Sequence, residues 1–164
     1  MHSDLLPASF PDELANVAFS SGDEVAWPPN FAVLAVEWFG SHEYAVLGTE
    51  LWIVQTDGIQ SLPMGNDGMR GVYVNTVDRQ KNEPWSSFVW RSAAETRTYL
   101  QRFDPSEIVE QGQLYFNVTW VSEQAYEELL KWDGGRASRR GLASRVWTWA
   151  RKYARHLSGP IGGQ

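Results

Sequence analysis

The apolar positions of residues 28–40 predict the first helix. They follow the i, i+3, i+4, i+7 spacing of one helical face, at Phe31, Leu34, Ala35 and Trp38. Pro28 and Pro29 stand where a helix can begin, because the first turn has no intrahelical use for their missing N–H groups. Gly40 suits the position after the last turn. Since the opposite side of the segment is apolar too, we expect this helix to be largely buried.

Four segments have the apolar content of strands, at residues 44–55, 59–62, 72–77 and 114–121. The first is apolar on both sides, which indicates a central strand that is covered on both faces. The second follows the turn sequence Thr56-Asp57-Gly58, so it predicts a short hairpin strand. The last alternates apolar and polar residues, as a half-buried strand does.

Two further helices are predicted between and after these strands. Residues 85–103 place apolar or small side chains at steps of four and three, and Ser86 or Ser87 can cap this helix. A second helix follows Ser122, whose hydroxyl suits the N-cap, with Val121 and Tyr126 placed as a hydrophobic staple. Because tight turns favour antiparallel neighbours, we predict an α+β fold, a small and mostly antiparallel sheet with helices packed on it.

The pattern divides the chain into three parts. Residues 1–26 are poorly patterned, apart from a short helix opened by Pro11. Residues 27–133 form a single α+β domain, and residues 134–164 contain a Gly-Gly hinge and a C-terminal amphipathic basic helix. Within the central domain, five side chains are aimed at one sheet–helix interface and should be buried together: Leu51, Ile53, Leu100, Phe116 and Val118.

Charge is distributed unevenly between the body of the chain and its tail. The whole chain has 14 Lys and Arg against 20 Asp and Glu, a net charge of −6. Residues 1–135 carry −13, whereas residues 136–164 hold seven basic side chains and no acidic one. An acidic body repels nucleic acid and attracts a cationic partner, although solubility alone also explains such a charge. The basic, aromatic tail could bind nucleic acid or an anionic membrane surface, or fold back on the body.

Few residues suit catalysis or metal binding. The chain has no Cys and only three His, so thiolate chemistry is excluded and a His metal cluster is not expected. His42 beside Glu43 could act as a general base in a small hydrolase-like site that includes Glu50, but no nucleophile pattern accompanies them. The Gly-rich residues 65–71 lack the Lys-Ser/Thr ending of a phosphate loop. We therefore expect no cofactor, no metal and no enzymatic activity.

Six carboxylates of the acidic body are candidate contacts for a basic protein surface: Glu43, Glu50, Asp57, Asp67, Asp78 and Glu83. Most of them fall in predicted connections, where side chains can reach a partner. Exposed charges of this kind mainly accelerate encounter and set specificity.

The chain shows no signal for export or membrane insertion. Residues 1–7 contain neither the basic nor the apolar region of a signal peptide. The longest apolar stretch, residues 31–39, is too short to span a bilayer. We therefore expect a cytoplasmic location.

Three stretches occur in a distinctive order: residues 45–52 (AVLGTELW), 84–100 (PWSSFVWRSAAETRTYL) and 114–120 (LYFNVTW). Together they resemble a family of bacterial immunity proteins linked to polymorphic toxins, the family numbered forty. That family shows a strand of the type ILGGDVY, then a Trp, a helix with Arg-Ser and a later Tyr, and an aromatic-rich strand. The resemblance spans roughly residues 27–121, and Gly48-Thr49-Glu50 departs from the family's Gly-Gly-Asp pattern.

The resemblance implies a non-catalytic protein that binds and blocks a cognate toxin, and a cationic toxin would fit the acidic body. The family's recurring positions map to four residues that we interpret as structural: Gly48, Trp85, Ser92 and Tyr99. Two other functions stay open from the residues alone. One is an adaptor that binds nucleic acid or a membrane surface through the basic tail, and the other is a small enzyme that uses His42.

Overall fold

Residues 5–61, 74–108 and 111–132 are described by the computed structural model of the protein. They form four α-helices, a short 3-10 turn at Pro105–Glu107 and six strands. In chain order these are α1 (Asp12–Asn16), β1 (Phe19–Ser21), β2 (Glu24–Trp27), α2 (Pro29–Ser41), β3 (Ala45–Gln55), β4 (Gly58–Ser61), β5 (Val74–Thr76), α3 (Trp85–Gln101), β6 (Gln113–Val121) and α4 (Glu123–Trp132).

All strand pairs of the sheet are antiparallel, in the order β1-β2-β6-β3-β4. The strand β5 also pairs with β3, alongside residues 48–50, on the edge that β4 occupies further along. The predicted α+β fold is therefore confirmed. The predicted basic tail helix and the Gly-rich residues 65–71 lie outside the described residues.

The predicted strands correspond closely to β3, β4, β5 and β6. The sequence pattern did not predict β1 and β2, which form a hairpin over residues 19–27 that joins the sheet through β6. These two strands have only three and four residues, so neither is long enough to show an alternating pattern. Trp27 nevertheless ends β2 fully buried, and its indole N–H donates to the carbonyl of Leu14 at 2.9 Å.

Two helix starts test the capping predictions. The helix α3 begins directly after Pro84, which has extended backbone angles and supplies no side-chain cap. The predicted cap by Ser86 or Ser87 is therefore wrong, because both residues already lie inside the first turn. For α4 the predicted cap is confirmed, since the Ser122 hydroxyl accepts a hydrogen bond from the backbone N–H of Ala125 at 3.3 Å.

The helix α2 buries a different face from the predicted one. Its fully buried positions are Ala32, Ala35, Val36 and Phe39. Phe31 is 37% exposed and Leu34 is 47% exposed, so the predicted stripe through these two residues is wrong. Because the segment is apolar on nearly every side, periodicity could not decide which face meets the sheet.

Two hydrophobic clusters cover opposite faces of the sheet. In the larger cluster, α1, α2 and the end of α3 cover strand residues that lie across from one another, such as Leu51 and Phe116. Four of the five side chains predicted to share an interface are in it, while Ile53 is fully buried outside it. In the smaller cluster, α4 and the start of α3 cover the other face beside Ala45 and Val121.

Because of a β-bulge, β3 contributes side chains to both hydrophobic clusters. The pairing with β6 shifts between Val46 and Gly48, which leaves Leu47 as the extra residue. Val46 packs in the larger cluster, whereas Ala45 and Leu47 pack in the smaller one. The central strand is thus buried on both faces, as its apolar run predicts.

Candidate partner-binding surface

The six candidate carboxylates occupy different environments. Glu43 is exposed in the connection between α2 and β3, Asp57 is exposed in the turn between β3 and β4, and Asp78 is exposed after β5. Glu50 is buried and Glu83 is half-buried. Asp67 lies outside the described residues. The structure therefore does not bring the six together into one surface.

Glu50 lies inside the sheet, where only 5% of the residue is exposed. Its carboxylate accepts a hydrogen bond from the indole N–H of Trp52 at 2.9 Å. Directly across the strands, the Asn117 side chain donates to the carbonyl of Val25 at 3.0 Å. The Asn117 contact joins β6 to β2, and the burial of Glu50 beside it places this carboxylate away from any surface that a protein partner could contact.

Glu83 belongs to an ion-pair network that anchors the connection before α3. Arg91 donates from Nε and Nη2 to the two carboxylate oxygens of Glu83, both at 2.8 Å. The same guanidinium bonds Glu95 at 2.9 Å and the carbonyl of Asp78 at 2.7 Å. Hydrogen bonding from Arg91 lowers the pKa of the Glu83 carboxyl, and the pairing raises the pKa of Arg91 in turn. This bidentate geometry is the strong form of an Arg–carboxylate contact.

Arg79 extends this network to α4. Its guanidinium lies 5.5 Å from the ring centre of Trp85 and 5.8 Å from that of Tyr126, and it bonds Glu127 at 3.1 Å. Burial raises the pKa of the Tyr126 hydroxyl. The carboxylates of this region thus hold α3, α4 and the connection between residues 78 and 84 in place.

His42 is engaged with its own helix. Its ring stacks on Trp38 with the ring centres 4.0 Å apart. Its Nδ1 lies 2.8 Å from the carbonyl of Trp38 and 3.0 Å from the hydroxyl of Ser41. Glu50 is buried in the sheet, so the structure does not join it to His42 and Glu43 in a common site. Within the described residues, no three His, Asp or Glu side chains gather as a metal site.

The four positions interpreted as structural all lie at packing contacts. Gly48 follows the bulge and pairs with both β5 and β6. The indole N–H of Trp85 donates to the carbonyl of Glu43 at 3.1 Å, and Tyr99 packs partly buried against the larger cluster.

Ser92 has a role that the sequence did not indicate. It is fully buried, and its hydroxyl accepts from the backbone N–H of Val46 at 3.1 Å while donating to the carbonyl of Val89 at 3.1 Å. It therefore satisfies the strand N–H beside the bulge and fixes α3 against β3.

Among the residues that the structure describes, three large apolar side chains are exposed on the helices, and sequence patterning did not single them out as exposed. They are Phe31 at 37%, Leu34 at 47% and Trp90 at 74%. A tryptophan with most of its surface in water is unusual for a residue that normally supplies core packing. The clearest sequence signal for the exposure of Trp90 is its position in α3, one residue after the buried pair Phe88 and Val89.

The acidic charge is concentrated at the start of the chain. Residues 1–69 contain ten Asp and Glu and no Lys or Arg. Within them, Glu43 and Asp57 occupy the exposed connections on either side of β3. An excess of one sign of charge in this part of the chain attracts a cationic macromolecule.

No helix among the described residues has both the length and the apolar content needed to cross a membrane. The family model for "Immunity protein 40" matches residues 13–120, which is more than half of the chain and includes the stretches that carry the resemblance. No curated protein and no solved structure matches the chain. The chain belongs to the immunity protein 40 family, which supports a toxin-neutralising immunity role.

Proposed function

We propose that the protein neutralises a cognate toxin by binding it and occluding its functional surface, without chemistry of its own. Family membership supports the immunity role. The observation that carries the binding mechanism is the charge of residues 1–69, which hold ten carboxylates and no cation. Such an excess of negative charge favours a cationic toxin, because complementary charge accelerates association and penalises wrong partners.

The surroundings of His42 support a non-catalytic role. A general base needs a free ring nitrogen within reach of the proton that it removes. Here Nδ1 faces the carbonyl of Trp38 and one ring face is covered by the indole, so Nε2 is the nitrogen that could accept a proton. The second carboxylate of the enzyme hypothesis, Glu50, is held in the sheet by Trp52, so it cannot assist the imidazole. These contacts describe a residue that ends a helix.

Of the six candidate carboxylates, Glu43, Asp57, Asp67 and Asp78 remain the candidate toxin contacts. Glu50 and Glu83 instead support the fold, since Glu50 is buried and Glu83 is bound by Arg91. In this proposal the body carries the interface, acts in the cytoplasm beside the toxin, and does not need the basic residues 136–164 for binding.

The experiment is a titration of the cognate toxin domain with the purified full-length protein. Occlusion predicts that toxin activity falls linearly to zero at a fixed stoichiometry, and that denaturing the complex releases a toxin of unchanged mass. Inactivation at far below stoichiometric amounts, or a covalent mass change in the toxin, would show an enzyme instead. A matched pair of titrations at low and high salt tests the charge argument, because screening should slow association with a cationic toxin.

A further inference from the structure

The three exposed apolar side chains lie on two helices that pack against each other. A methyl group on Gly40 of α2 would lie 2.6 Å from the Cβ of Ala93 of α3, so the helices approach closely there. Further along, Arg97 of α3 bonds Glu37 of α2 at 3.4 Å. Because residue numbers fall along α2 as they rise along α3, the pair is antiparallel.

Helical spacing and one ion pair place two of these side chains, Leu34 and Trp90, on one outward face. On α3, Trp90, Ala94 and Arg97 follow the i, i+4, i+7 spacing of a single stripe. On α2, Leu34 and Glu37 are one turn apart. The Glu37–Arg97 contact joins the two stripes, with Leu34 on one side of it and Trp90 on the other.

We propose that this outward face of α2 and α3 is the contact surface for the toxin, with Trp90 as its anchor. The inference rests on the proposed function and names the surface that performs it. Binding energy at protein interfaces is concentrated in a few side chains, with Trp prominent among them, that enter pockets on the partner. The toxin surface that fits is therefore an apolar pocket surrounded by basic residues.

The charges around the face favour a basic partner. The guanidinium of Arg91 is already bound by Glu83 and Glu95, and that of Arg97 is bound by Glu37. The three carboxylates of these pairs, Glu37, Glu83 and Glu95, outnumber the two cations that they bind. The helix α2 carries no Lys or Arg, as expected from its place in the cation-free residues 1–69.

The anchor is presented by a rigid helix. Ser92, two residues beyond Trp90, holds α3 to the backbone of Val46, and Arg91 beside it holds the preceding connection through Glu83. A side chain fixed on a pre-ordered element loses little conformational freedom on binding, so more of its contact energy appears as affinity.

The test compares dissociation constants of toxin complexes made with the full-length protein and with Trp90→Ala. We expect binding to weaken at least about 30-fold, as truncation of a hot-spot tryptophan does. Trp90→Phe should recover most of the affinity because it keeps an apolar ring. Leu34→Ala should weaken binding by a smaller factor. Gln124→Ala, at an exposed position of α4 outside this face, is the control and should bind as the unchanged protein does.

Two measurements separate a lost contact from a lost fold. The unfolding midpoint of Trp90→Ala should match that of the unchanged protein, since the side chain is 74% exposed. Hydroxyl-radical footprinting of the unchanged protein should show less oxidation of Trp90 when the toxin is bound.

Distinct outcomes overturn the proposal. Equal affinity of Trp90→Ala and the unchanged protein, with no footprint at Trp90, places the toxin elsewhere while leaving occlusion intact. A dimer that becomes a monomer on Trp90→Ala substitution, with toxin affinity unchanged, assigns the face to a second copy of this chain. If the toxin protects Trp90 from oxidation only after residues 136–164 have been removed, the face is assigned to the tail of this chain. If the unchanged protein does not bind the toxin at all, the proposed function fails together with this inference.

Discussion

Residues 5–61 and residues 74–132 contain similar numbers of carboxylates but use them differently. The first region holds eight and no Lys or Arg, and the second holds nine together with six cations. In the second region Arg91 and Arg79 bind Glu83, Glu95 and Glu127, and these bonds connect α3, α4 and the preceding connection. In the first region Glu43 and Asp57 point from exposed connections. A carboxylate therefore supports the fold where an arginine is within reach. Where no cation is near, it adds to the negative electrostatic field around the protein.

The largest expected effect concerns the packing that both regions share. Leu100 of α3 is 5% exposed in the cluster that α2 and the sheet also form. Leu100→Ala should lower the free energy of unfolding by about 2–5 kcal/mol, the usual range for a buried leucine. Denaturant unfolding measures this change. A loss below about 0.5 kcal/mol would mean that α3 does not pack on the sheet through this residue.

The next effect separates the supporting ion pairs from the surface pair. Arg91→Ala should cost about 1–3 kcal/mol, because Glu83 loses a bidentate, charge-assisted partner while its side chain is only 10% exposed. Arg97→Ala is the matched control. Its pair with Glu37 is 3.4 Å long with both side chains 46% exposed, so the cost should stay within about 0.5 kcal/mol. If the two variants lose the same free energy of unfolding, the distinction between supporting and surface ion pairs is wrong.

The pH dependence of stability gives a sharper form of that comparison. Because Arg91 lowers the pKa of Glu83 from its ordinary value of 4.5, the folded state binds this proton less readily than the unfolded state. The pair therefore stabilises the protein above pH 4.5 and loses its contribution as the pH falls below it. In Arg91→Ala the stability should decline less steeply over this acid range. If stability declines equally steeply below pH 4.5 in both proteins, the prediction that Arg91 lowers the pKa of Glu83 is contradicted.

Charge reversal should affect association much more than stability. Glu43→Lys combined with Asp57→Lys should change the free energy of unfolding by less than about 1 kcal/mol, as exposed substitutions do. The double variant should slow association with a cationic toxin and flatten its dependence on ionic strength. Glu123→Lys with Glu128→Lys on α4 makes the same charge change in the second region. If both pairs slow association equally, net charge matters and the position of the acidic surface does not.

The smallest effect is expected for His42→Ala. The variant loses a stacking contact with Trp38 at an exposed position, which is worth about 0.5 kcal/mol. Protection against the toxin should be unchanged in a cell survival assay, because occlusion does not use the imidazole. A folded His42→Ala protein that fails to protect would point to an enzymatic mechanism.

Much of the fold could be predicted because the signals are local. The apolar run of β3, the alternation of β6 and the serine cap of α4 each involve neighbouring residues, and the structure contains all three. The hairpin of β1 and β2 could not be predicted, because its strands are short and are stabilised by pairing with β6 about ninety residues away. The candidate site was predicted least well, since Glu50 and Glu83 proved to be occupied inside the fold.

The sequence by itself determined the kinds of elements, their order, the acidic excess and the family, because these depend on composition and on spacing within a few residues. Tertiary structure alone decided which face of α2 is buried, where the bulge turns β3 from one cluster to the other, and which carboxylates find a guanidinium. It also decided that Trp90 is exposed while Trp27 is buried. Each of these outcomes depends on how helices and strands meet across the sheet, so the long-range packing of the chain sets them.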